Sequence, residues 1–212
     1  MGKPTDVFAT KMSFLPIFLR NLLAGLIANI NNGSNKIYGL QKPNHKFGAT
    51  HPTINSELLY KIRHGKIKPK VEIECFDGKK VFFKDKSIEE FDVIIACTGF
   101  VLAHPFFHES FLNYREGPVP LYLKMFHPEY DNLYFIGMFQ PLGCIWPGAE
   151  QQSKLLTLAL RGVWKRPANI GVLCEREITH PHMKQINTNI HRITVDFHRF
   201  MNDLKLEIKK GG

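Results

Sequence analysis

The residues best suited to chemistry stand at the ends of two short apolar runs. Phe91-Asp92-Val93-Ile94-Ile95-Ala96-Cys97-Thr98-Gly99-Phe100 stops at a hydroxyl and a glycine. Asn132-Leu133-Tyr134-Phe135-Ile136-Gly137 stops at a second glycine and runs on through Met138-Phe139-Gln140-Pro141-Leu142-Gly143. At a strand end, Thr98-Gly99 offers a hydroxyl, two backbone N–H groups and a position free of Cβ, where a parallel sheet opens its ligand crevice. Gln140 carries both an amide donor and a carbonyl acceptor, and a helix starting near Gly148 aims its positive end into the same crevice. This is the chemistry of holding a bound group closely. His104 and His108 are four apart, but Pro105 lies between them and no carboxylate triad accompanies them, so they are not read as metal ligands. Cys75, Cys97, Cys144 and Cys174 stand far apart with no CxxC pair, which argues against a zinc site or a disulfide framework and for a reducing compartment.

Those residues need elements to position them. Five apolar residues in a row before Thr98, with no alternation, predict a strand buried on both faces, as in a parallel sheet flanked by helices. Lys70–Cys75 and Val81–Phe83 alternate around Asp77-Gly78, a hairpin signal that feeds the Phe91 strand through Ser87-Ile88-Glu89-Glu90. Before it, Leu58, Leu59 and Ile62 predict a helix capped by Thr53 or Asn55 and closed by Gly65. After Pro147-Gly148, residues Ala149–Gly162 have the spacing of an amphipathic helix with its apolar face at Leu155, Leu156, Leu158 and Ala159. Pro118–Phe126 reads as an extended segment before a turn at His127-Pro128-Glu129, and Asn31–His51 reads as a loop or crossing segment. There is no internal repeat and no low-complexity tract.

With 212 residues, 44% of them hydrophobic and 22% charged, the chain can bury a real core as one large domain or parts of two. The formal net charge of +9 favours anionic partners, and charge alone does not choose between nucleic acid, a membrane surface and phosphate-bearing cofactors. The apolar stretch 12–30 is broken by Pro16, Arg20 and Asn21. It falls short of the roughly 20 apolar residues of a spanning helix and leaves a surface-lying helix as the membrane option.

The run Asp92-Val93-Ile94-Ile95-Ala96-Cys97-Thr98-Gly99-Phe100, followed by Asn132–Gly137 and Gln140-Pro141-Leu142-Gly143-Cys144-Ile145-Trp146-Pro147, closely resembles the C-terminal half of flavin-containing monooxygenases. His51-Pro52-Thr53-Ile54-Asn55 and the hairpin look like the same family's approach to its linker. The likeness runs from about Tyr38 to Pro167 and continues weakly through His180-Pro181-His182 and Thr194-Val195-Asp196. The resemblance implies an α/β fold of the FAD/NAD(P)-binding, Rossmann-like kind with two dinucleotide-binding domains, incomplete at the N-terminus. It implies a division into 1–90 (C-terminal part of the NADP-binding domain), 91–170 (C-terminal part of the FAD-binding domain) and 171–212 (C-terminal extension). It further implies FAD and NADP as cofactors, and a soft nitrogen or sulfur nucleophile or a ketone oxygenated with O2 through a flavin hydroperoxide. The resemblance implies cofactor-binding positions at Thr98 and Gly99, where the chain crosses from the nicotinamide to the flavin domain, and at Gly137, Gln140 and Leu142, beside the flavin ring and ribityl chain; no catalytic side chain is assigned.

Three departures qualify this. Neither G-x-G-x-x-G fingerprint occurs in the 212 residues, so both pyrophosphate cradles are absent and the expectation is a truncated fragment, inactive alone. Cys97 stands where the family's linker has alanine, and Lys86 stands where the family often has glycine. Two other classes stay open at this point: a non-catalytic remnant acting as an interaction module, and a basic nucleic-acid-binding protein, against which no helix-turn-helix, zinc or RNP-type pattern accompanies the charge. The setting expected is cytoplasmic, with membrane-surface contact through 12–30 and association into oligomers.

Overall fold

A computed structural model describes residues 14–51, 55, 57–183, 185, 186 and 188–211. The chain forms two compact units, one of Leu15–Gly48 with Pro52–Gly99, the other of Met1–Phe14, Ala49–His51 and Phe100–Gly212.

The first unit opens with α1, Ile17–Asn32, which starts behind Pro16 and is followed by a single 3-10 turn, Asn35–Tyr38. Tyr38, 5% exposed, ties this region to the next helix: its hydroxyl donates to the Asn32 carbonyl at 2.6 Å and accepts from the Arg63 guanidinium at 2.6 Å. That helix, α2, is shorter than its sequence spacing predicts, Leu58–Arg63. Its N-cap position is Glu57, which makes no side-chain cap bond; of the two expected caps, Asn55 lies just before it and its Oδ1 accepts from the N–H groups of Glu57 and Leu58 at 2.8 and 2.7 Å, while Thr53 lies outside the described residues. The predicted hairpin is present as β1, Ile73–Asp77, antiparallel to β2, Lys80–Phe83, with Asp77 opposite Lys80. A third strand, β3, Ile88–Glu90, continues the sheet on β2 where a plain connection was expected. Val81 and Phe83 are the buried side chains of this sheet, and the Lys70 ammonium lies 5.0 Å over the Phe83 ring. Lys86 takes φ +68 in the turn before β3, the left-handed region that glycine enters freely.

The run from Phe91 corrects the sequence reading. Its amide donates to Lys79 at the end of the ladder, and from there to Phe100 the backbone has no strand assignment. Val93, Ile94 and Ile95 are 74%, 53% and 81% exposed, where a buried central strand was expected. The physical reason is pairing: an apolar run becomes a buried strand only with a ladder on its edges and layers over its faces. Among the described residues no strand flanks it.

The second unit carries the larger core. β4, Gln140–Pro141, precedes α3, Trp146–Leu160, and α4, Ile170–Thr179; β5, Thr194–Val195, precedes α5, Phe197–Lys210. β4 pairs parallel with β5, Gln140 facing Thr194 and Pro141 facing Val195. α3 and α5 pack through fully buried Leu155 and Leu204, and the Phe139 and Phe200 rings meet at 4.6 Å beside them. The α3 face runs as its spacing predicts, with Leu156, Leu158 and Ala159 partly buried against the same core and Trp164 at 4% exposure. Asp196 caps α5 by accepting from the Arg199 amide at 3.0 Å. A second cluster gathers Leu112, Tyr114, Val119, Leu121, Phe135 and Met138. Helices and short strands together agree with an α/β class.

Candidate functional site

The segment that leads into Gly137 is fixed by a tight turn before it. Tyr122 and Phe126 exchange backbone hydrogen bonds at 3.0 Å, and the Phe135 amide donates to the Met125 carbonyl at 2.9 Å. Phe126 is 1% exposed and stacks on Trp164 with ring centroids 4.7 Å apart. Among the described residues, Asn132–Gly137 is therefore held by one isolated bridge, Phe126 with Tyr134, and not by a regular strand as its apolar run predicts. The run is too short of ladder partners to be one.

Gly137 has φ +77, a conformation strained for any residue with a Cβ. Its N–H donates to Oε1 of Gln152 at 2.9 Å. Three residues on, Gln140 and Pro141 form β4 where sequence reading placed a turn; parallel pairing with β5 straightens them. The Gln140 side chain is half-buried. Leu142 is 45% exposed, and α3 follows with neither a side-chain cap at Ile145 nor an acidic residue in its first turn. Gly148 brings α3 directly against Phe139, whose ring a Cβ at that position would meet head-on. Gly137, Gln140 and Leu142 thus lie in one stretch of the second unit, beside a helix N-terminus whose N–H groups are uncompensated by side-chain charge.

Thr98 and Gly99 belong to the other unit, as its last residues. Both are exposed, and Gly99 has φ +89 while nothing lies within 4 Å of a Cβ added there. The demand for glycine is conformational, not one of space.

Three titratable groups in the second unit, His104, Tyr114 and Cys174, are held neutral by burial. His104 packs between aromatic rings, 5.9 Å from Tyr114 and 5.4 Å from Phe135, and burial pulls its pKa down. Burial pushes the Tyr114 hydroxyl up to about 12 and the Cys174 thiol up to about 11, so neither ionises near neutrality. No group of three or more His, Cys, Asp or Glu side chains among the described residues is arranged to hold a metal ion. The Gly137–Leu142 stretch can approach and hydrogen-bond a flat ligand; it has no acid or base to offer one. For a flavin, the fit is partial. A half-buried amide at Gln140 and a left-handed glycine suit the ring and its side chain, whereas the pyrophosphate finds no glycine-rich cradle in the sequence.

Gln152 is the residue bonded to the candidate site that sequence reading missed. It is fully buried in α3, and the signal was available: a polar residue at i−3 from Leu155, on the helix face that carries the apolar contacts.

Comparison with known proteins matches residues 2–211 to the family model described as Flavin-binding monooxygenase-like. The chain is 30% identical to dimethylaniline monooxygenase [N-oxide-forming] 2 of Rattus norvegicus, over 98% of this chain and 40% of that protein. It is 34% identical to the protein of the same name from Oryctolagus cuniculus, over 82% of this chain and 34% of the relative. Against flavin-containing monooxygenase 5 of Rattus norvegicus the identity is 33%, over 80% of this chain and 32% of the relative. The chain spans two-fifths or less of the length of these relatives.

Proposed function

The chain belongs to the flavin-binding monooxygenase-like family, and we propose that it supplies the flavin-ring side of an FAD- and NADPH-dependent monooxygenase that oxygenates a soft nitrogen or sulfur nucleophile, or a ketone, with O2. The observation that carries this reading is the left-handed Gly137 three residues before the half-buried Gln140, in a chain whose residues 2–211 match the family. Bound FAD supplies the redox chemistry, taking reducing equivalents from NADPH and passing one oxygen atom of O2 to the substrate.

The protein's own residues hold and shield. Gln140 donates or accepts one hydrogen bond to the flavin, Gly137 lets the backbone come close, and Leu142 adds an apolar wall that excludes water. Thr98 and Gly99 form the crossing between the nicotinamide and flavin parts. The pyrophosphates are bound by glycine-rich turns that this chain does not carry, so the chain is active only together with a segment that does. In α1, Phe18, Leu22, Leu26 and Ile30 are exposed at intervals of one helical turn, which supports contact with a membrane surface; residues 12 and 13 of the stretch lie outside the described residues. No helix among the described residues is long and apolar enough to cross a membrane.

The test joins this chain to the preceding portion of a related monooxygenase and follows NADPH oxidation and O2 uptake with a tertiary aromatic amine or a thioether. The expected result is substrate-dependent turnover, with Gln140→Ala raising peroxide release or FAD loss, since a hydrogen bond to a partly buried cofactor contributes about 0.5–1.5 kcal/mol. A well-folded, FAD-loaded fusion that oxidises no NADPH would refute the reading.

A further inference from the structure

Gln152 uses both ends of its amide. Nε2 donates to the Leu123 carbonyl at 2.9 Å, while Oε1 accepts from the Gly137 amide at 2.9 Å, and the side chain is shut off from solvent. Its first partner sits in a turn that L residues rarely adopt: Leu123 and Lys124 have φ +52 and +54. Such a turn persists where its surroundings over-determine it, and here they do. The Leu123 carbonyl is held by Gln152 from α3, and the Leu123 amide donates to Oε1 of Glu177 from α4 at 2.7 Å. One side chain therefore links the strained turn, the middle of α3 and the peptide that enters the Gly137–Leu142 stretch.

This has a chemical consequence for the site. The Gly137 N–H is already spent inside the protein, so what Gly137 presents outward is a bare Cα and a carbonyl, and a donor to a bound group must come from elsewhere in the stretch, the Gln140 amide among the candidates. We propose that Gln152 is a positioning residue: its amide clamps the Ile136–Gly137 peptide in one orientation and thereby sets the Gly137–Gln140 stretch for the flavin. The inference rests on the flavoprotein reading above for its ligand, and on geometry within this chain for the clamp.

Two variants separate the ends of the amide. Gln152→Met has similar length and loses both hydrogen bonds; Gln152→Glu keeps an oxygen for the Gly137 N–H. Leu155→Ala, one turn along the same helix, removes core packing and touches neither bond. Amide hydrogen exchange on the 212-residue chain should speed up about tenfold at Gly137 in Gln152→Met relative to amides within α3, and stay close to wild type in Gln152→Glu. In the fused protein described above, titration with FAD should give an affinity about tenfold weaker for Gln152→Met, with Gln152→Glu recovering most of it. Leu155→Ala should lower the melting temperature and leave FAD affinity unchanged. Unchanged Gly137 exchange in Gln152→Met overturns the clamp. Equal FAD loss in Gln152→Met and Leu155→Ala reduces Gln152 to a packing residue. A wild-type fusion that folds yet binds no FAD overturns the flavin reading and with it the clamp's role toward that ligand, whereas tight wild-type binding matched by Gln152→Met overturns the clamp's role alone.

Discussion

His127 shows what a single buried side chain decides in this protein. It is 7% exposed, and its Nδ1 accepts from the amides of Glu129 and Tyr130 at 3.1 and 3.2 Å, so that nitrogen must stay unprotonated for the turn to close. Arg166 braces the same turn through the carbonyls of His127 and Pro128, both at 2.6 Å. Burial, seconded by the Arg166 charge and opposed by Glu129, pulls the imidazole pKa down. A histidine with a depressed folded pKa is protonated first in the unfolded chain. Its contribution to stability is therefore complete above the ordinary imidazole value of about 6.5 and is lost as pH falls below it. His127→Asn puts Oδ1 where Nδ1 accepts, without a proton to gain. Melting temperatures of wild type and His127→Asn should converge as pH falls through that window, while parallel curves would mean that His127 does not titrate there. Gly99 makes a second prediction at this scale. At φ +89 a β-branched residue is strained by about 1–3 kcal/mol, so Gly99→Val should lower flavin occupancy in a fused protein, and unchanged occupancy and turnover would remove Gly99 from the crossing. The turn at His127-Pro128-Glu129 and the special standing of Gly99 and Gly137 are legible in sequence. That an imidazole closes the one, or that Gln152 ties down the other, is not, because each depends on a partner fixed by tertiary packing.

Elements were legible where local signals agreed with their surroundings. The Asp77-Gly78 hairpin and the face of α3 formed because turn chemistry and spacing point the same way as the packing. α5 carries equally plain signals, a capping Asp196 and Phe200 and Leu204 at helical spacing, which the sequence reading left inside an undivided extension. The two contributions to α5 differ in size. Removing the cap with Asp196→Ala should cost about 1 kcal/mol, whereas Leu204→Ala empties a site with 0% exposure and should cost about 2–5 kcal/mol. Urea unfolding of the two variants measures this, and a Leu204→Ala loss no greater than that of Asp196→Ala would mean that the α3–α5 contact is not what holds the second unit. Phe91–Phe100 failed for the opposite reason. Its composition is that of a central strand, but composition cannot furnish the neighbouring strands, and a local reading has no way to see whether they are there.

At the scale of the whole chain, the apolar run Val93–Ile95 is exposed and no G-x-G-x-x-G turn occurs in the sequence. On the proposed function, the chain supplies contacts to the flavin ring and not the grip on the pyrophosphates. An unpaired apolar segment of this kind tends to be buried by association, so sedimentation of the isolated chain should show oligomers, and a monodisperse monomer with a cooperative melt would argue for a self-contained protein. The most direct measurement of the central claim is the flavin content of the purified protein, read from visible absorbance, alone and joined to the preceding portion of a related monooxygenase. Flavin gripped only along Gly137–Leu142 lacks the contacts that hold its phosphates, so the chain alone should be colourless and the joined protein should carry stoichiometric FAD. Stoichiometric FAD on the isolated chain, or a joined protein that folds and shows no flavin spectrum, would contradict it.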